Sequence, residues 1–115
     1  MSDRQLDENY AQIAGEREIE RNGLPPGVDR DMSAATYGLR YFDARLFFLI
    51  HDNLHFQYSS GFLAEEAWSG YLAGIKGAIQ EPVFRGYYEN HGFKMRGSFR
   101  NLVEQLQNES NSESL

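Results

Sequence analysis

The chain contains no cysteine, so it cannot form a disulfide, and this absence fits a reducing compartment. It also has no long hydrophobic run: no apolar stretch approaches the roughly 20 residues that a membrane-spanning helix needs. The N-terminus lacks the charged-then-apolar pattern of a signal peptide. The sequence therefore predicts a soluble, cytoplasmic protein that does not insert directly into a membrane.

An excess of basic charge is missing as well. Lys and Arg number 11 against 17 Asp and Glu, which gives a formal net charge of −6. The one basic patch contains Arg85, Lys94, Arg96 and Arg100, and Glu89 interrupts it. A patch of this kind is typical of a solvated face, so we predict no nucleic-acid partner.

The patterns that mark common enzyme sites are also absent. There is no cysteine nucleophile, and no serine sits in a glycine-flanked turn between strand and helix. Gly70, Gly74 and Gly77 follow a helical spacing, so they do not form a phosphate-binding loop after a strand. We therefore predict a non-enzymatic protein without a cofactor.

The most apolar periodic stretch runs from Tyr37 to Tyr58 and predicts a long central helix. At 100° per residue its large apolar side chains fall within one arc of about 180°. An arc this wide predicts burial on two sides. The side chains of the arc are Leu39, Phe42, Leu46, Phe47, Leu49, Ile50, Leu54 and Phe56.

Capping and breaker residues predict the other helices. The first begins at Ser2 or Asp3, carries the apolar row Leu6, Tyr10, Ile13 and Ala14, and ends near Asn22-Gly23. After the central helix, three more helices are expected over 64–80, 83–90 and 98–107. The helix over 64–80 has the inward row Trp68, Leu72, Ile75 and Ile79. The helix over 98–107 has the inward row Phe99, Leu102, Val103 and Leu106. Residues 1–107 then form a single all-α domain, an antiparallel bundle of about four to five helices, and 108–115 form a disordered polar tail.

Two amides on the central arc suggest a polar cluster. Asn53 and Gln57 lie one helical turn apart, where they can face Trp68 or Arg85. Such a group forms either an interhelical hydrogen-bond network or the polar end of a small-ligand pocket. Arg85 can also pair with Asp43.

Two histidines offer an alternative metal site. His51 and His55 are four residues apart, the spacing that metal-binding helices use, but Asp52 stands where a zinc protease has glutamate. A third ligand would have to come from His91 or Glu66. Ordinary packing beside the solvent-facing strip explains the pair equally simply, so we predict no metal.

A set of residues from Asp52 onward carries a family likeness: Asn53, Phe56, Gln57, Tyr58, Gly61, Leu63, Glu65, Glu66, Trp68, Pro82, Phe84, Arg85, Tyr88, Phe99 and Arg100. On these residues the chain resembles the C-terminal helical domain of a family of uncharacterised bacterial proteins, and the segment from Asp7 to Ile13 resembles the part of the family that precedes its central helix. Two positions depart from the family: Ala64 replaces a helix-capping Asp or Ser, and Tyr88 replaces a common Trp. Members usually begin with a transmembrane helix and a further long helix, neither of which we expect in this chain, and the family implies no reaction.

These observations favour a protein-interaction or oligomerisation module. The glycine-bearing side of the third helix and the missing family helix both suggest a partner surface, supplied by another protein or by self-association. The alternative is a small-ligand or metal-binding helical domain that uses the amide cluster or the histidine pair.

Overall fold

A computed structural model describes residues 2–113 of the chain. Within that range the backbone forms five α-helices, one short 3-10 turn and no β-strand, so the all-α prediction is confirmed. The helices are α1 (Asp3–Asn22), α2 (Ala34–Ser59), α3 (Glu65–Ala78), α4 (Pro82–His91) and α5 (Gly97–Glu113), with the 3-10 turn at Gly92–Lys94.

Local hydrogen bonds explain the helix ends. The Ser2 hydroxyl accepts a hydrogen bond from the backbone N–H of Gln5 (3.2 Å), and the Ser33 hydroxyl accepts one from Thr36 (3.1 Å). Each hydroxyl satisfies an N–H group that the first helical turn would otherwise leave unpaired. Helix α1 ends at Gly23, whose φ of 72° is a conformation that glycine adopts readily.

Helix α4 begins at a residue that also holds the bundle together. One carboxylate oxygen of Glu81 accepts a hydrogen bond from the backbone N–H of Phe84 (2.8 Å), and Pro82 occupies the first turn. The other oxygen of Glu81 pairs with Arg40 of α2. Glu81 therefore caps α4 and fixes its start against the central helix.

The core lies on one side of α2, where α3, α4 and α5 pack. Ala44 and Phe48 of α2 are fully buried, and the Phe48 ring stacks on Tyr87 of α4 with 5.9 Å between ring centroids. The inward rows predicted for α3 and α5 are confirmed, because their members are buried or pack partly buried against the core. The buried members of this core are Ala44, Phe48, Trp68, Ile75, Ile79, Tyr87, Tyr88, Met95, Phe99, Val103 and Leu106.

Helix α1 packs antiparallel on α2 through a backbone contact. A Cβ atom added at Gly15 would lie 2.0 Å from the carbonyl oxygen of Ala34, and one added at Gly38 would lie 1.7 Å from that of Ala11. These distances leave no room for a side chain, so the two glycines allow the helices to touch. The apolar row predicted for α1 was wrong, since the contact face is Ala11, Gly15 and Glu18, and Leu6, Tyr10 and Ile13 are exposed.

The glycines of α3 are different. Gly70 and Gly77 have open space where a Cβ atom would stand, and at Gly74 the nearest atom is the His51 ring nitrogen at 3.9 Å. The close helix approach that their spacing predicts is therefore not made by any other helix within residues 2–113.

Helix α2 is covered on a different side from the one predicted. Its buried residues are Tyr37, Gly38, Ala44 and Phe48. Six of the eight side chains of the predicted arc are exposed, namely Leu39, Phe42, Leu46, Leu49, Ile50 and Phe56. The prediction failed because α2 carries large apolar side chains on two sides, and periodicity does not say which of them meets the other helices.

Helix α5 also extends beyond its predicted end. The side-chain amide of Gln105 donates to Glu109 (3.1 Å), and that of Gln80, just after α3, donates to Ser110. These contacts continue the helix to Glu113, so the predicted disordered tail is wrong for 108–113, and 114–115 lie outside the described residues. No glycine or proline interrupts this segment.

None of the helices described between residues 2 and 113 is long and apolar enough to cross a membrane.

Candidate interaction surface

The largest unexplained feature is the side of α2 that faces away from the core. Leu46 is 59% exposed and Leu49 is 54% exposed, although both lie in the middle of the longest helix. Asn53 is also exposed there. We call this surface the outer face of α2; it consists of Leu39, Phe42, Leu46, Leu49, Ile50, Asn53 and Phe56.

The outer face follows a heptad repeat, the pattern of helices that pair with another helix. Leu39, Leu46 and Asn53 are seven residues apart, and so are Phe42, Leu49 and Phe56. In heptad notation the first set occupies position a and the second set position d. Such a repeat presents a nearly straight ridge over two to three heptads, because an α-helix drifts only about 20° per heptad from it. The outer face therefore has the shape of a helix-pairing seam.

Charged residues border this ridge. Asp43 and Arg45 are exposed next to its N-terminal half. Near its C-terminal end, the Arg96 guanidinium lies 3.4 Å from the Asp52 carboxylate and 4.6 Å from the centre of the Phe56 ring. A cation over an aromatic face fixes the ring orientation while leaving part of the ring accessible, and Phe56 stays 48% exposed.

The four residues predicted to form a polar cluster lie in different environments. Asn53 is exposed on the outer face and does not lie in the core, where it was predicted to be. Gln57 is half-buried, and Trp68 is buried against the Tyr58 ring, 5.0 Å away between centroids. Arg85 lines a groove of about 450 Å³ that none of the other three lines. Thus Asn53 and Trp68 do not share one buried site.

The ion pair predicted between Asp43 and Arg85 is replaced by another link between the same helices. Asp43 is exposed beside the outer face, whereas Arg85 is half-buried in the groove with Pro26, Gln80 and Glu89. The pair that joins α2 to α4 is Arg40 with Glu81. The prediction of an ion pair between these two helices was correct, but the predicted residues were wrong, because Arg40 and not Asp43 lies on the side of α2 that faces α4.

The two histidines of α2 are packing residues. The Nδ1–H of His51 donates to the carbonyl oxygen of Phe47 (2.7 Å), and the ring stacks on Phe47 with 3.8 Å between centroids. His55 packs against Trp68 at 5.3 Å. Burial lowers the pKa of both imidazoles from the ordinary value of histidine. No cluster of three or more His, Asp or Glu side chains able to hold a metal ion occurs in the described part of the chain.

A buried polar network connects α1 to α4, and the sequence did not indicate it. Nε2 of His91 lies 3.0 Å from a carboxylate oxygen of Glu18, and both side chains are less than a tenth exposed. The same oxygen accepts a hydrogen bond from Asn22 (2.8 Å), and the Tyr41 hydroxyl lies 3.2 Å from Nε2. Because a carboxylate only accepts hydrogen bonds, this geometry places a proton on Nε2.

The network changes the chemistry of the tyrosines around it. Burial, followed by the negative charge of Glu18, raises the pKa of Tyr37 to about 12. The same two causes raise the pKa of Tyr41. Both phenols therefore stay protonated at neutral pH and act as neutral hydrogen-bonding groups.

No protein-family model, curated protein sequence or solved structure matches the chain at a significant level. The resemblance to the bacterial family described above thus stays a prediction.

Sequence reasoning missed the outer face although one signal was available. The seven-residue spacing of Leu39, Leu46 and Asn53 was visible, but an arc of large apolar residues suggested the interior. For Glu18 and His91 no such signal exists, because 73 positions separate them and neither stands in a recognisable motif. Only the packing of α1 on α2 beside α4 brings them together.

Proposed function

We propose that this chain is a non-enzymatic protein-interaction module and that the outer face of α2 is its binding surface. The supporting observation is the exposure of six large apolar side chains between Leu39 and Phe56. About half of each is exposed, which amounts to roughly 600 Å² if a large apolar residue presents about 200 Å². The largest apolar patch on a typical monomeric protein covers about 300–600 Å² and is often functional, so the outer face reaches the upper end of that range.

The chemistry of the remaining molecule is consistent with binding and not with catalysis. The strongest polar constellation, Glu18 with His91, is enclosed between helices, and a substrate would have no access to it. Groups that perform general acid or base catalysis must lie within hydrogen-bond reach of the reacting atoms. The pair therefore serves to hold α1 against α4.

The alternative of a small-ligand or metal-binding domain has weaker support. The amides and Arg85 are dispersed, and His51 uses one ring nitrogen in a hydrogen bond to its own helix. A ligand site needs several polar groups that converge on one cavity.

The proposal is tested by placing a charge on the outer face. We expect the protein to associate as its concentration rises from micromolar to millimolar in sedimentation velocity, and we expect Leu46→Asp to abolish that association. Phe93→Asp is the matched control, because Phe93 is 68% exposed in the 3-10 turn, where it lies beside Tyr88 of α4 and Arg100 of α5 and is not part of the outer face. Circular dichroism should show the same helicity in both variants.

A protein that stays monomeric over the whole range would contradict the proposal. So would association that Leu46→Asp leaves unchanged, since the contact would then lie elsewhere on the surface.

A further inference from the structure

We infer that the partner of the outer face is a second copy of this chain, paired parallel and in register so that Asn53 meets Asn53 of the partner subunit. This inference rests on the proposed function, and it adds the identity, number and orientation of the associating helices. The observation that leads to it is one polar residue in an otherwise apolar seam.

Asn53 is the single polar residue among the six a and d positions from Leu39 to Phe56. A helix with only apolar groups at the contact would bury the Asn53 amide without a hydrogen bond, which is unfavourable. A second Asn removes this problem, because each side-chain amide has both a donor and an acceptor. A lone Asn at position a is known to specify register and two-stranded pairing in parallel coiled coils.

The orientation follows from the positions along α2. In a parallel, in-register pair each residue of the seam meets its own equivalent, so Asn53 faces Asn53 of the partner subunit. In an antiparallel pair centred between Leu46 and Leu49, Asn53 faces Phe42 of the partner subunit, which offers no hydrogen bond. The parallel arrangement is therefore the one that satisfies the amide.

The flanking residues allow this arrangement. Parallel two-stranded pairing brings position g of one helix next to position e of the following heptad in the other. Arg45 then faces Ile50 of the partner subunit, and Asp52 faces Gln57 of the partner subunit. No like charges meet, and the Asp52 side chain, which is only 13% exposed, keeps Arg96 of its own chain as its partner at 3.4 Å.

The area agrees with a specific dimer. If each copy buries the roughly 600 Å² of exposed apolar surface, the pair buries about 1,200 Å², which is the lower end of the range for stable protein interfaces. The seam from Leu39 to Phe56 is about 26 Å long, which covers two and a half heptads. The interface is thus small, and we expect a reversible dimer.

Engineered cysteines test the orientation, since the natural chain has none. Leu49→Cys alone should form a disulfide-linked dimer under mild oxidation, because position 49 meets itself in the parallel pair. A mixture of Leu46→Cys and Leu49→Cys should give no more mixed dimer than a mixture of either with the control Phe93→Cys. Mass spectrometry distinguishes the mixed from the uniform products.

A second variant tests the role of Asn53 directly. Asn53→Leu should tighten self-association by about tenfold or more and should add species larger than a dimer, because the seam then loses its specifying amide. If Asn53 were only a surface residue, the variant would leave both the dissociation constant and the stoichiometry unchanged. Weaker association of Asn53→Leu, or no change, overturns the inference.

The outcomes separate the two proposals. If Leu46→Asp abolishes association but the mixture of Leu46→Cys and Leu49→Cys links efficiently while Leu49→Cys alone does not, the pair is antiparallel and only the inference fails. If the wild-type protein forms a trimer or tetramer that Leu46→Asp disrupts, again only the inference fails. If the protein is a monomer at every concentration, both the proposed function and the inference fail.

Discussion

Both the inner and the outer side of α2 are largely apolar, but they lie in opposite environments. Ala44 and Phe48 on the inner side are completely buried under α4 and its neighbours, whereas Leu46 and Leu49, between and beside them in sequence, are more than half exposed. The difference shows that apolar composition determines that a helix will be covered, but not which of its sides the same chain covers. The side left open is where a partner can contribute free energy.

The same contrast separates the glycines. Gly38 of α2 lies against the backbone of α1, whereas Gly77 of α3 has open space around it. One glycine is needed for the contact of two helices, and the other only weakens its own helix. Matched substitutions at such pairs of positions test the contrast.

The largest effect is expected at Phe48. Replacing this buried ring by alanine should lower the free energy of unfolding by about 3–5 kcal/mol, through lost burial and the cavity left behind. Leu49→Ala, on the outer face, should change it by no more than about 0.5 kcal/mol in the monomer. Urea unfolding at low protein concentration, followed by circular dichroism, measures both values.

If Leu49→Ala destabilises the monomer as much as Phe48→Ala, the assignment of an inner and an outer side to α2 is wrong.

The next effect is expected at the buried pair of Glu18 and His91. His91→Phe keeps a ring stacked on Tyr87 but removes the nitrogen that pairs with Glu18, so the buried carboxylate keeps only its hydrogen bond from Asn22. We expect a loss of about 3 kcal/mol in the free energy of unfolding. Arg4→Met breaks the exposed pair of Arg4 with Glu8 and should have no measurable effect.

Adding Glu18→Gln to His91→Phe should recover part of this stability, because the buried charge is then removed. A loss that stays the same in the double variant would show that the ring substitution, and not the unpaired carboxylate, causes it.

The smallest effect is expected at the glycines. Gly38→Ala should destabilise the protein by about 1–3 kcal/mol, because the new methyl group forces α1 away from α2. Gly77→Ala should stabilise it by about 0.5–1 kcal/mol, since alanine favours the helix and meets no neighbour. Thermal unfolding monitored at low protein concentration gives the sign of each change, and equal signs would contradict the two packing environments.

The positions of the helices could be predicted from the sequence, because the signals that begin and end a helix are local. Ser2 and Ser33 cap their helices, Gly23 ends α1, and Glu81-Pro82 begins α4, all within a few residues of expectation. The inward-facing residues of α3 and α5 could also be predicted, since each of these helices has a single apolar side. For these two helices the prediction did not require knowing which helix packs against them.

The sequence indicated which apolar residues of α2 belong together, but not that they form an exposed surface. The sequence alone determined an all-α chain with a long apolar central helix, the start of every α-helix, and the seven-residue spacing that ends in Asn53. The tertiary structure decided that α1 approaches α2 by its backbone, that Glu18 meets His91, and that Leu39 to Phe56 stay outside. The physical reason is that capping and periodicity act over a few residues, whereas burial depends on how helices distant in the sequence pack against one another.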